Sequence, residues 1–171
     1  MIELYFIRHG ETDANAAGIW QGHGDTDLND AGRAQAEALG ERLTGIRFDH
    51  VECSDLSRTR STAALAGLDA RPDPVWREVN IGRWEGLTPE EVRARFAGEI
   101  AALDDDPEAK LGGGESWQEF EARIESSLSG LLGRLDDGAR VAVVAHGGVV
   151  HALVSKLLGF GDRPRPWPIE R

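Results

Sequence analysis

The chain has 171 residues, 40% of them hydrophobic and 29% charged, the composition of an ordinary globular protein of one domain over 1–171. No apolar run approaches the ~18 residues of a membrane span, and residues 1–8 read as a strand, not as a basic-then-apolar leader. With 30 acidic against 19 basic residues the formal net charge is -11, so the average field repels phosphate backbones and argues against nonspecific nucleic-acid binding.

A single cysteine, Cys53, excludes an intramolecular disulfide and fits a reducing compartment, so a cytoplasmic location is the expectation. Lysine occurs only at Lys110 and Lys156. A small anionic substrate therefore needs a local group of arginines to overcome the acidic background.

"IELYFIR" at 2–8 is apolar, β-branched and aromatic, the pattern of a buried strand. The loop "GIWQGHGDTDLND" follows and ends in Asn29 or Asp30, either able to N-cap a helix through about Leu43. "FDHVECS" predicts a second strand, with a helix from Asp55 to about Ala66 after it, and "PVWREV" predicts a short third strand. "TPEE" at 88–91 is a capping box with proline at the first helical position, predicting a helix to about Leu103. "DDDPEAKLGGGES" reads as a mobile lid, and "SWQE" at 116–119 as a second capping box. The helix it starts carries Trp117, Phe120, Ile124, Leu128, Leu131 and Leu135 on one stripe. "RVAVVA" at 140–145 predicts a fourth strand, "GVVHALVSKLLG" a helix packed on the sheet, and 160–171 an irregular proline-rich tail. Strands alternating with helices predict an α/β fold with a mainly parallel sheet.

In an open parallel sheet, ligands bind beyond the carboxyl ends of the strands. Arg8 and His9 follow the first predicted strand, Arg58 lies just past the second, Glu78 ends the third and His146 ends the fourth. Phosphoryl transfer needs such a set. Guanidinium forks match phosphate oxygens and neutralise a dianion. A neutral imidazole is a nucleophile near pH 7, and a second one can donate to a phosphoryl oxygen. A carboxylic acid can protonate the leaving alkoxide and afterwards deprotonate water. The arginines supply positive charge, so this chemistry calls for neither a metal nor another cofactor.

Six motifs carry a resemblance: "RHGET" at 8–12, "QGHGDTDLNDAGRAQA" at 21–36, "SDLSRTRSTA" at 54–63, "REVNIGRWEG" at 77–86, "GGES" at 113–116 and "AHGGVV" at 145–150. In this order the chain resembles the histidine phosphatase superfamily, in its phosphoglycerate-mutase-like branch. The resemblance implies a three-layer α/β/α sandwich and a metal-independent phosphatase acting on a small phosphorylated metabolite. It makes His9 the phosphorylated nucleophile, Arg8 and Arg58 the phosphate clamps, His146 the second pocket histidine and Glu78 the acid/base, in preference to Glu85. Asn15, Gln21, Gly22 and Gly147 match substrate-binding positions. Relatives usually continue with one or two further strands where this chain has its proline-rich tail. The edge beside residues 2–8 is therefore expected to be covered by the tail or by a second subunit, as in a homodimer.

Other readings stand beside these. A phosphoglycerate mutase would use the same histidine, but such relatives carry longer insertions and more basic groups. A noncatalytic phospho-ligand binding protein on the same fold would usually lack a catalytic group, and the full set is present. Cys53 and Arg58 have four residues between them, where a cysteine phosphatase, by resemblance, has five. His23, Asp25 and Asp27 could be read as metal ligands, although a loop rich in glycine and aspartate needs no metal to explain it. His151 reads as a helix residue outside the site, and Trp20 and Trp84 as walls of a substrate mouth.

Overall fold

The computed structural model describes residues 1–159, so the reading of 160–171 as an irregular tail lies outside the described residues. In chain order the elements are β1 (Glu3–Arg8), α1 (Asp13–Ala16), α2 (Asp30–Arg42), β2 (His50–Cys53), α3 (Ser57–Leu65), β3 (Arg71–Pro72), α4 (Pro89–Arg95), α5 (Ala97–Asp105), α6 (Trp117–Leu132), β4 (Arg140–Ala145) and α7 (Gly147–Leu157). Short 3-10 turns occupy Pro74–Trp76 and Gly82–Trp84. The sheet has the order β1-β4-β2-β3, and every pairing in it is parallel.

Period-two alternation in β4 builds the layers. Val141, Val143 and Ala145 join one core with Phe120, Ile124, Leu128 and Leu131 of α6 and Val149, Ala152 and Leu153 of α7. Ala142 and Val144 join the opposite core with Ile7, Cys53 and Ala63, against which Leu39 of α2 packs. Helices therefore cover both faces, giving an α/β/α sandwich with β4 buried between its neighbours. The outer edge of β1 has no strand partner among the described residues.

Three predicted elements differ. "PVWREV" is not a strand. The Asp73 side chain accepts from Val75 N at 3.0 Å, Pro74 takes the first helical position, and the 3-10 turn buries Trp76 completely. The third strand is only Arg71–Pro72, paired with Glu52 and Cys53.

The helix predicted from Asp55 begins at Ser57 instead, because both Asp55 oxygens hold Arg77 at 2.6 Å. Asp25 takes over the capping role and accepts from Ser57 N at 2.7 Å. The helix predicted over 88–103 breaks at Phe96, whose ring centroid lies 5.6 and 5.4 Å from the guanidiniums of Arg83 and Arg95. No proline or glycine marks that break.

The predicted lid is tied down over 110–116. Leu111 N donates to Glu115 O at 3.0 Å, and Glu115 N donates to Asn80 O at 2.8 Å. Gly82 and Gly112 both have positive φ, and a Cβ on Gly82 would lie 2.3 Å from Gly112 O, so only glycine permits this approach.

Candidate active site

β1 ends at Arg8, and β4, its neighbour, ends at Ala145, so His9 and His146 emerge side by side. Their ring centroids are 5.3 Å apart with planes at 63°. His9 Nδ1 lies 2.7 Å from Gly10 O. A carbonyl only accepts, so Nδ1 carries the proton and Nε2 keeps the free lone pair.

Burial pulls the His9 imidazole down to about 4, assisted by the charges of Arg58 and Arg8 and opposed by the Gly10 carbonyl. His146 is 1% exposed, and burial, together with Arg58 and His9, holds it well below the ordinary histidine range. Both rings are therefore neutral at pH 7. Neither His146 nitrogen makes a hydrogen bond among the described residues.

Arg58, on the first turn of α3, is 1% exposed. Its Nη1 donates to Gly24 O at 2.6 Å and its Nη2 to Gly22 O at 2.9 Å, while Nε has no hydrogen-bond partner among the described residues. Arg8 is exposed at the strand end, and a Cβ built on Gly147 would lie 3.7 Å from Arg8 Nε. The guanidinium thus lies against the start of α7.

Glu78 stands on irregular chain after the 3-10 turn, not at a strand end as the sequence suggested. One carboxyl oxygen accepts from Val79 N and the other from Gly148 N, both at 2.9 Å. Burial raises this carboxyl above its ordinary range, against the opposing pull of those two N–H groups and of Arg58 and Arg8. A Cβ on Gly148 would meet Glu78 Oε1 at 2.3 Å, so residue 148 has no room for a side chain. Gly148→Ala is expected to push the carboxyl aside and to destabilise the fold by about 1–3 kcal/mol, the usual cost of overpacking a buried site, read as a lowered urea midpoint.

The other expected contacts lie around this centre. Thr12, fully buried, brings its Oγ1 within 3.1 Å of both Asn15 Oδ1 and Gln21 Oε1. Those two residues are therefore assembled on the loop that follows His9. Thr62 Oγ1 accepts from Gly10 N at 3.0 Å and donates to Arg58 O at 2.7 Å, locking the loop after β1 to α3. Sequence reasoning passed over Thr12 and Thr62, although both lie inside the quoted motifs.

The His23, Asp25 and Asp27 side chains have separate partners. His23 Nε2 donates to Glu78 O at 2.9 Å, Asp25 holds Ser57, and Asp27 pairs with Arg33 at 3.0 Å. Glu85 accepts from His23 N at 2.7 Å. His151 lies on the exposed side of α7, with Nε2 3.3 Å from Ser155 Oγ. Trp84 is fully buried and belongs to the core, not to a mouth, while Trp20 is half-buried with its ring centroid 6.1 Å from that of Trp84. Burial pushes the Cys53 thiol up to about 11, which leaves it a poor nucleophile.

The buried histidines make stability depend on pH. Unfolded His9 titrates near 6.5 and folded His9 at about 4, so between these values the unfolded chain binds the extra proton and acid favours unfolding. Full protonation of His9 alone removes roughly 3 kcal/mol, and His146 acts in the same direction. Glu78 acts oppositely: its folded value is raised, so its contribution is present at low pH and is lost as pH rises through that value. Urea midpoints are expected to fall from pH 7 to pH 5, and His9→Gln is expected to flatten part of that slope.

Two neutral imidazoles, two guanidiniums and a buried carboxyl, gathered beyond the carboxyl ends of parallel strands, define an α/β protein equipped to hold an oxyanion. Residues 4–169 match the histidine phosphatase superfamily (branch 1), and the chain belongs to that family. It is 34% identical over 169 residues to "Probable phosphoglycerate mutase GpmB" of Enterobacter sp. (strain 638), covering 94% of this chain and 76% of that one. Among solved structures it is similar to the alpha-ribazole phosphatase of Shigella flexneri, with TM-score 0.81 and 33% identity over 91% of this chain and 79% of that one. It is likewise similar to a mycobacterial glucosyl-3-phosphoglycerate phosphatase in complex with VO3, with TM-score 0.79 and 36% identity over 91% and 81%. Among the described residues, no helix is long and apolar enough to cross a membrane.

Proposed function

We propose that the protein is a metal-independent phosphatase hydrolysing small phosphomonoesters through a phosphohistidine at His9. The observation that carries this reading is a set of buried polar groups: both nitrogens of His146 and Nε of Arg58 without partners among the described residues, with the His9 ring, whose Nε2 keeps its lone pair, 5.3 Å from that of His146. Buried polar groups are normally satisfied, and phosphoryl oxygens are acceptors that suit the Arg58 Nε–H and the one N–H of a neutral His146.

In the first step His9 Nε2 attacks phosphorus in line, and the ester P–O bond breaks. Arg8, Arg58 and the N–H of His146 take the phosphoryl oxygens. Glu78 starts protonated and gives its proton to the leaving oxygen. In the second step Glu78, now a carboxylate, takes a proton from water as the hydroxide attacks phosphorus. The P–N bond breaks, releasing inorganic phosphate and restoring neutral His9 and protonated Glu78. Asn15, Gln21 and the backbone at Gly22 and Gly147 border the bound ester.

The similarity to two solved phosphatases favours hydrolysis, whereas the name of the Enterobacter relative raises the mutase. The discriminating experiment follows 3-phosphoglycerate and p-nitrophenyl phosphate together. Release of inorganic phosphate without formation of 2-phosphoglycerate is expected. Isomerisation exceeding release would overturn the phosphatase reading.

A further inference from the structure

Glu78 stands on irregular chain between the 3-10 turns Pro74–Trp76 and Gly82–Trp84, so the carbonyls around it need hydrogen-bond donors from elsewhere in the fold. Three of these carbonyls meet one side chain. Arg123 of α6 donates from Nη1 to Val75 O at 2.8 Å and Arg77 O at 3.1 Å, and from Nη2 to Glu78 O at 3.3 Å. Its Nε and Nη2 also donate to Glu115 Oε1 and Oε2, each at 2.8 Å.

Five N–H donors thus meet five acceptors, the full capacity of a guanidinium. Glu115 extends the grip: its Oε2 accepts from Asn80 N at 2.8 Å, and its backbone N donates to Asn80 O. The pair is about one-fifth exposed on each side, with the Arg123 guanidinium 5.2 Å from the Phe120 ring centroid.

We propose that Arg123 and Glu115 are positioning residues for the reaction, a clamp that fixes the backbone of 75–80 so that the Glu78 carboxyl stays on Gly148 and faces the leaving oxygen. This rests on the acid role given to Glu78 above. A surface ion pair kept only for stability would hold one partner. Here the contacts bracket Glu78 from Val75 to Asn80, and the Glu78 carbonyl is shared between Arg123 and His23. Glu78 is held at both ends, its carbonyl by the Arg123 guanidinium and the His23 ring and its carboxyl by two N–H groups.

The test uses Glu78→Gln, Arg123→Gln and the double variant, each assayed on p-nitrophenyl phosphate, a good leaving group, and benzyl phosphate, a poor one. Arg123→Gln is expected to lower kcat/KM on benzyl phosphate about 10-fold or more and on p-nitrophenyl phosphate about 3-fold or less, because kcat/KM reports only the first step, in which the leaving group departs. In the Glu78→Gln background it is expected to add almost nothing, because the group it positions is gone. Arg123→Lys keeps the charge without the fork and is expected to fall between. Equal losses on both esters, or full additivity with Glu78→Gln, would overturn the clamp and leave a structural role. A Glu78→Gln variant that shows no leaving-group dependence would instead overturn the acid role on which the clamp rests. If Arg123→Gln does not fold, Glu115→Gln carries the same comparison.

Discussion

His9→Ala is expected to lose turnover of p-nitrophenyl phosphate by about 10,000-fold or more, the scale seen when a covalent nucleophile is removed. No neighbouring group can take its place. His146 is proposed to donate to a phosphoryl oxygen, not to attack phosphorus, and the Cys53 thiol is held up to about 11 on the other side of the sheet from β4's α6-facing core. Rapid quenching with a phosphorus-labelled ester should place the label on residue 9 of the unaltered protein, stable in base and lost in acid. Label at another residue, or activity retained by the variant, would end the phosphohistidine mechanism.

The second large effect belongs to Glu78→Gln. Glutamine keeps the shape and can still accept from Gly148 N, but it has no proton to give or take. On esters whose leaving groups need protonation, kcat is expected to fall about 100- to 10,000-fold. For p-nitrophenyl phosphate the first step should be nearly spared, and the activation of water in the second step then limits the rate. The variant should therefore accumulate phosphoenzyme on good leaving groups, which a quenched-flow burst measures. In the unaltered protein the Glu78 carboxyl, raised by burial, is expected to set the alkaline limb of kcat/KM, with proton donation lost as pH rises through its folded value. Equal losses in kcat/KM across leaving groups would remove Glu78 from the acid role.

The strands that could be read from the sequence were those whose pattern depends on the core. β1 and β4 are apolar runs ending at His9 and His146, and their parallel pairing places the two imidazoles together. Capping signals also held: Thr88 and Ser116 each close a capping box where "TPEE" and "SWQE" stand. Glu78 was identified through its motif, but the element assigned to it was wrong. β-branched and aromatic residues in "PVWREV" suggested a strand, whereas the Asp73 cap and Pro74 favoured a turn and sent Trp76 into the core. Arg123 was invisible because its partners are backbone carbonyls of Val75, Arg77 and Glu78, which leave no side-chain pattern. Trp84 was placed at a mouth from its position beside a motif, although proximity in sequence says nothing about the direction of a ring.

The order β1-β4-β2-β3 makes the last described strand the centre of the sheet, with Glu3 aligned to Arg140 and Arg8 to Ala145. Neither β1 nor β2 has its main neighbour until that late stretch leaves the ribosome, so assembly waits on contacts far apart along the chain and is slow for that reason. His146 sits one residue beyond β4, so its imidazole reaches that of His9 only when this final strand docks beside β1.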